Sequence, residues 1–393
     1  MLRFTRRLTK SLFKRPPSPA RQFSQRSTSF DPNEKIEEET LQWYSPDRFY
    51  PVKIGEVFRS RYQIIGKLGF GGYSTVWLCR DLKQHVYVAL KVYECDSDHG
   101  KREKKMYDHL RNVKTNHTGS ILVRHALDDF QITSADSSYS YQCLVHPPLA
   151  MSLHELQNLI PEKVLPENLV KPTLIHILLA LDFLHAEAHI VHTDISARNI
   201  MLGVEDQSIL VEFEEAEKSN PSLQKIIEDR VIYSSRRLGI PKVHGRPILS
   251  DFGEARFTST LGSPWEDVQP FMYRAPEVVL RMPWNHKIDI WNLGVLAWEL
   301  FEQRQLFRAR DSDRNRSDSH HLAGMIAILG PPPKSLVHNS EYGSRFFDNE
   351  GNWISDTEIP SPTLEKLEGN LQGEHQHLFL KFLRKMLRWR PED

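Results

Sequence analysis

Apolar and polar positions change rhythm along this chain. Arg61-Tyr62-Gln63-Ile64-Ile65 starts a strand, Trp77-Leu78-Cys79-Arg80 reads as its return, and Val86 to Tyr93 forms the next. Spacing then shifts to three and four residues. Lys101 to Leu110 reads as a helix with Met106, Tyr107 and Leu110 turned inward. Tyr139 to Val145 is strand-like again. From Met151 onward helical spacing dominates: Leu153-His154-Glu155-Leu156, Lys171 to His185, a largely apolar Ile288 to Leu300 read as a buried helix, His321 to Leu329 before a proline stop, and residues 378–389. Short strands at Ile190-Val191 and Ile248-Leu249 interrupt these helices. Strands first and helices after predict an α+β fold.

Composition narrows the class. The 393 residues suffice for one large or two ordinary domains, and 39% apolar with 26% charged residues indicates a soluble globular protein. A net charge of zero points to no nucleic-acid or membrane partner, and a monomer is expected. Cys79, Cys95 and Cys143 are far apart and form no C-x-x-C, which argues for a reducing compartment without disulfides or zinc. The longest apolar run, Ile175 to Leu184, is too short to span a bilayer. Residues 1–30 stand apart, with eight Lys/Arg, no acid and interleaved Leu2, Phe4, Leu8, Leu12 and Phe13. This is the make-up of a mitochondrial presequence or a disordered basic tail, and Arg21-Gln22-Phe23-Ser24 resembles a processing site. The segment is expected to lie outside the fold. An acidic lead-in follows over residues 31–61. Between Asn199 and Asp251 lies an insertion containing Ile209 to Glu217, whose acids are expected to be solvated.

Several motifs carry chemistry. His192-Thr193-Asp194-Ile195-Ser196-Ala197-Arg198-Asn199 places an Asp five residues before an Asn, directly after a strand. Lys67-Leu68-Gly69-Phe70-Gly71-Gly72-Tyr73-Ser74-Thr75-Val76 is a Gly-rich hairpin in which Gly69 and Gly71 let backbone N–H groups approach phosphates. Its glycines lie between two strands rather than before a helix, which rejects a dinucleotide-binding turn. Val88-Ala89-Leu90-Lys91 ends a strand on a lysine. Asp251-Phe252-Gly253 follows an apolar strand, and Ala275-Pro276-Glu277 closes the next segment. In this order and spacing the motifs resemble a eukaryotic protein kinase over residues 62–393. Details resemble the SR-protein kinase family in its fungal branch: Tyr50 to Phe58, Lys67 to Leu78, and His192 to Ile195. Leu329-Gly330-Pro331-Pro332 fits the wider group that holds the cyclin-dependent and MAP kinases.

The resemblance implies a bilobal fold, with a β-rich N-lobe over 62–148 and a mainly helical C-lobe over 149–393. It also implies ATP, Mg²⁺ and phosphoryl transfer to serine or threonine of protein substrates, Arg/Ser-rich mRNA-processing factors among them. Asp194 is then the residue that receives the substrate hydroxyl. Lys91, oriented by Glu103, holds the α- and β-phosphates. Asn199 and Asp251 hold Mg²⁺. Leu68, Gly69, Phe70, Gly71, Gly72, Tyr73, Ser74, Val76, Ala89, Pro147, Leu149 and Met201 line the nucleotide. Pro147 keeps a carbonyl and Leu149 both backbone groups, so the prolines after His146 do not preclude a hinge. Asp289 is expected to bind the backbone of the catalytic loop.

Four positions depart from the family. Thr193 replaces an arginine that clamps an activation-loop phosphate, which implies activity without that phosphate. Ser196 replaces a lysine, and Arg198 supplies its charge instead. Pro270 stands where serine/threonine kinases have Thr and tyrosine kinases have Pro, which with the change at Ser196 leaves a tyrosine acceptor as an alternative to Ser/Thr. The chain ends before the last helix and before the arginine expected to pair with Glu277, and an unpaired buried carboxylate costs roughly 3–5 kcal/mol. Ser196, Pro270 and the early end leave a pseudokinase scaffold as the alternative reading. The basic N-terminus points to mitochondria, against the nucleus and cytoplasm that the family implies.

Overall fold

The alternating run that begins at Tyr62 becomes a six-stranded antiparallel sheet. The structure, a computed structural model, describes residues 16–23, 29–31, 33–134, 138–161, 163–228, 230–241, 243–258, 263 and 265–393. In chain order come β1 (Val57–Phe58), β2 (Tyr62–Gly71), β3 (Ser74–Asp81), β4 (Val86–Cys95), α1 (Asp98–Asn112), β5 (Asp128–Thr133), β6 (Ser140–His146) and β7 (Leu149–Ser152). Then follow α2 (Leu153–Leu159), α3 (Glu167–Asp182), β8 (Ile190–Val191), β9 (Ile200–Val204), α4 (Ser208–Ser219), β10 (Gln224–Ile227), β11 (Arg230–Tyr233), β12 (His244–Leu249) and β13 (Arg256–Phe257). Helices α5 (Pro276–Val279), α6 (Lys287–Glu302), α7 (Asp318–Leu329), α8 (Lys334–His338), α9 (Leu364–Leu367) and α10 (Gly373–Met386) complete the chain. The last begins five residues before the apolar pattern predicts.

Contacts divide the chain into two units that are not contiguous halves. Unit 1 holds residues 1–96, 127–148 and 207–239, and unit 2 holds 97–126, 149–206 and 240–393.

In unit 1 the strand order is β1-β2-β3-β4-β6-β5. Ile64, Trp77, Cys79, Val88, Leu90, Val92, Cys143 and Val145 fill one core, capped by Tyr62 and Phe130, whose rings stack with centroids 5.8 Å apart. Val76 pairs with Lys91 and Leu78 with Ala89, so these four share the opposite face.

The insertion folds onto this unit. Ile209, Leu210 and Phe213 of α4 are buried, and a Cβ on Gly66 would stand 2.8 Å from the Phe213 ring. Two of the four acids of α4 are not solvated, contrary to expectation: Glu214 and Glu217 are each 1% exposed, whereas Glu212 and Glu215 are exposed. Glu214 accepts from Arg21 (2.7 Å), Tyr87 Oη (2.5 Å) and Arg80, while Glu217 takes Ser222 N (3.1 Å) and Arg236. Burial works to raise Glu214, but these donors outweigh it and hold the carboxyl below its usual range.

Part of the basic N-terminal segment also belongs to the fold, which corrects its exclusion. Ser18 N donates to Leu82 O (2.8 Å), and Arg21 exchanges two hydrogen bonds with the Gln63 side chain (2.9 and 2.7 Å). Residues 1–15 and 24–28, the rest of the presequence-like stretch, lie outside the described residues.

Unit 2 is mostly helical. Ser152 accepts from Glu155 N (3.2 Å) and the Glu155 carboxylate from Ser152 N (2.9 Å), a capping box that starts α2. Helix α6 is buried nearly all round, including Trp291, Leu293, Leu296 and Trp298, and it packs on α3 and α10. Helix α3 runs into a π-turn (Phe183–Glu187) that delivers β8. By length and composition Glu167–Glu187 suffices to cross a membrane, and 44% of its apolar window is buried within the fold. A three-stranded sheet, β12-β9-β7, and the pair β13-β8 flank the loop between β8 and β9.

Candidate functional site

The loop from His192 to Asn199 is held from below. Asp289, fully buried in the first turn of α6, accepts His192 N on one oxygen and Thr193 N on the other, both at 2.8 Å. His185 Nε2 adds a third contact at 2.8 Å. The expected anchoring by Asp289 is therefore present, and it holds Thr193 in a left-handed conformation (φ +65°) that costs energy outside glycine. Burial lowers the His192 imidazole toward neutrality. Its ring takes Asp194 N at Nδ1 (3.3 Å) and meets Ser250 O at Nε2 (3.1 Å), which assigns the proton to Nε2.

Asn199 closes the loop. Its side-chain amide donates to the backbone and carboxylate oxygens of Asp194, both at 2.8 Å, while its backbone carbonyl accepts Ser250 N (2.8 Å). Ser250 precedes Asp251, which is also left-handed (φ +67°) and accepts Gly253 N at 3.3 Å. Asp194, Asn199 and Asp251 are thus drawn together in unit 2. Burial, then the charge of Asp251, pushes Asp194 up to about 7, although the Asn199 amide works the other way. Asn199 and Asp251 are oxygen donors of the kind Mg²⁺ takes, and two repelling carboxylates suit a cation, so the residues fit that ion. Arg198 is exposed on the same loop; its charge and that of Asp194 both act on the Tyr273 phenol, which burial and Glu299 raise strongly.

Glu103 is buried on α1, where it accepts Phe252 N at 3.3 Å. Next to it, Arg102 donates to Gly253 O (2.8 Å) and Glu254 (3.1 Å), and His99 meets the same Glu254 carboxylate at 2.9 Å. Burial raises Glu254, but His99, Arg102 and Arg256 prevail and hold it below its usual range. Thr193 Oγ1 donates to Glu254 O at 2.7 Å. The Thr193 hydroxyl thus ties down the segment after Asp251, and Arg102 and His99 hold the Glu254 carboxylate.

Unit 1 carries the Gly-rich turn, Ala89, Lys91 and Pro147, and unit 2 carries Leu149 and Met201. Leu68 to Gly71 end β2, Gly72-Tyr73 form the turn, and Ser74 and Val76 begin β3. A Cβ on Gly69 or Gly71 would meet no protein atom within 4 Å. Nothing in the fold asks for glycine there, whereas a phosphate lying against the backbone does. Lys91 is 8% exposed beside Ala89 on β4, with its ammonium 5.0 Å from the Tyr93 ring centroid. Pro147 follows β6. Leu149 pairs with Gly203 and Met201 with Ile248 and Ser152 in the small sheet of unit 2.

Three contributors were not legible in the sequence. Gln269, left-handed at φ +66°, donates to Ile288 O (2.9 Å) and Asn292 (2.6 Å) and accepts Ala275 N (2.9 Å), which fastens the segment before Ala275-Pro276-Glu277 to α6. Trp43 reaches the Gly-rich turn, and Glu38 reaches Lys67. A non-glycine left-handed residue has no strong sequence mark, and no motif reports pairings this remote along the chain.

The family model for the protein kinase domain matches residues 62–393. A serine/threonine protein kinase of Aspergillus fumigatus is 45% identical over 386 residues, covering 97% of this chain and 93% of its own length. The serine/threonine-protein kinase SRPK of Physarum polycephalum is 31% identical over 337 residues, 80% of this chain and 78% of its own. A crystallised kinase domain superposes with a TM-score of 0.66 at 23% identity, covering 88% of this chain and 94% of that one, which shows the shared fold.

Proposed function

This chain belongs to the protein kinase family, and on that premise we propose that it transfers the γ-phosphoryl group of ATP to serine or threonine of protein substrates. The observation that carries the reading is the Asp194–Asn199 pair beside Asp251. One carboxylate is aimed by an amide, and a second stands close enough to raise it. Asp194 receives the hydrogen bond of the substrate hydroxyl, aligns its oxygen and takes its proton late in transfer. The Asn199 amide keeps that carboxylate in one orientation. Asn199 and Asp251 are the residues that would hold Mg²⁺, which when bound offsets phosphate charge. Lys91 and the backbone N–H groups of the Gly-rich turn bind phosphates, and exposed Arg198 offsets charge on the group in transit.

The finer reading is an SR-kinase-like enzyme acting on Arg/Ser-rich mRNA-processing factors. The Tyr50 to Phe58 and His192 to Ile195 signatures and the likeness to the Physarum SRPK support it. Thr193, bonded through its hydroxyl to Glu254 O, supports activity without an activation-loop phosphate.

The test uses labelled ATP, Mg²⁺ and an Arg/Ser peptide. Wild type is expected to label the peptide, and Asp194→Ala to lose at least about 100-fold in rate while still binding ATP. Undiminished transfer by Asp194→Ala sinks the proposal. Equal labelling of a serine peptide without arginines sinks only the substrate class.

A further inference from the structure

The kinase family match begins at residue 62, yet the turn between β2 and β3 is gripped by residues before it. Trp43 donates its indole N–H to Gly72 O at 3.0 Å. Its ring stacks on Tyr73 with centroids 6.4 Å apart and planes 25° from parallel. A Cβ on Gly72 would come within 3.3 Å of that ring. Trp43 itself is 49% exposed, so core burial does not explain its placement.

The root of the same turn is gripped too. Lys67, directly before Leu68 and Gly69, is fully buried. Its ammonium pairs with Glu38, lies 3.5 Å from Glu37, donates to Tyr233 O at 3.1 Å, and sits 5.4 Å from the Phe70 ring centroid. A buried ammonium is tolerated only when paired and hydrogen-bonded, so Glu38 is required there.

The two grips share one support. Glu37, Glu38 and Glu39 sit in a single 3-10 turn (Glu37–Thr40), three residues before Trp43. Glu37 accepts Ser235 N at 2.9 Å, and Glu39 accepts Lys225 Nζ at 2.9 Å on both oxygens. Arg236 N donates to Lys67 O at 2.9 Å. The insertion thus braces the acidic turn, and the acidic turn braces both ends of the Gly-rich loop.

We infer that Trp43 and Glu38 are positioning residues for the nucleotide, acting through the Gly-rich turn. The inference rests on the kinase reading. The glycines that let the backbone approach phosphates also free its conformation, and a Cβ at Gly69 or Gly71 would meet no atom within 4 Å that could steady it. A loop ordered only on binding loses affinity to that ordering. The Trp43 hydrogen bond and stack fix the tip beforehand, and the Lys67–Glu38 pair fixes the base. Side chains outside the catalytic motifs therefore set part of the affinity for ATP.

The test uses the full chain, a fluorescent ADP analogue with Mg²⁺, and steady-state kinetics with ATP and an Arg/Ser peptide. Trp43→Ala is expected to weaken nucleotide binding, and to raise KM for ATP, by about three- to tenfold. KM for the peptide and the melting temperature stay at wild-type values. Trp43→Phe, which keeps a ring over Tyr73 but loses the donor, falls between. Unchanged nucleotide affinity in Trp43→Ala overturns the inference, and so does a loss shared equally by peptide and nucleotide with a lower melting temperature. A wild-type chain that binds no nucleotide overturns the kinase reading itself, which separates the two failures.

Discussion

At the scale of single residues, buried carboxylates decide most of the behaviour, and they divide by whether a partner is present. Asp289 is buried with three donors and Glu214 with several. Glu277 is 4% exposed, and burial pushes it up to about 7, with Glu392 adding repulsion and one backbone hydrogen bond opposing it. A folded pKa above the unfolded one means that the native state binds the extra proton. This contribution to stability is full below about pH 4.5 and is lost as pH rises through about 7, a difference of roughly 3 kcal/mol. Glu277→Gln, which cannot ionise, should unfold at higher denaturant than wild type at pH 8 and at nearly the same concentration at pH 5. Urea titrations at both values check it. Of the proposed site residues, Asp194, Asn199 and Asp251 could be singled out from the sequence because transfer chemistry demands those residue types at near-fixed intervals. The left-handed backbone of Thr193 and Gln269 was not legible, because it is imposed by Asp289 and α6 from far along the chain.

Among elements, the small sheet of unit 2 sets the site, since Asn199 directly precedes β9 and Asp251 follows β12 with one residue between. These strands approach closely at two glycines, and the closeness is one-sided. A Cβ on Gly245 would fall 2.1 Å from Gly203 O, whereas a Cβ on Gly203 meets nothing nearer than 3.5 Å. Gly245→Ala must push backbone apart and should cost about 1–3 kcal/mol or more along with much of the transfer rate. Gly203→Ala should leave both nearly intact. Thermal unfolding and initial rates of the two variants provide the check. The apolar rhythm foretold most helices and strands, because periodic burial is a local property. It missed what α4 does. Charges on a helix read as solvated unless the partner is known, and Arg21 stands 193 residues from Glu214.

At the scale of the whole molecule, unit 1 is assembled from three stretches of chain that its acids sew together. Glu214→Ala would leave Arg80 and Tyr87 facing a vacated carboxylate site, and it should lower stability by about 3 kcal/mol with an unchanged denaturant slope. Glu214→Gln, still an acceptor, should lose less, and guanidinium melts of both variants measure the difference. The same stitching has a consequence for synthesis. A ribosome releases 206 residues before the last stretch of unit 1 begins, and the sheet waits for Ser208 to Tyr233 while about a third of unit 2 has already emerged. A nascent chain of this kind cannot mature one half after the other. Both halves are completed late, across long loops that close slowly, so a stall before residue 207 strands a sheet without its brace.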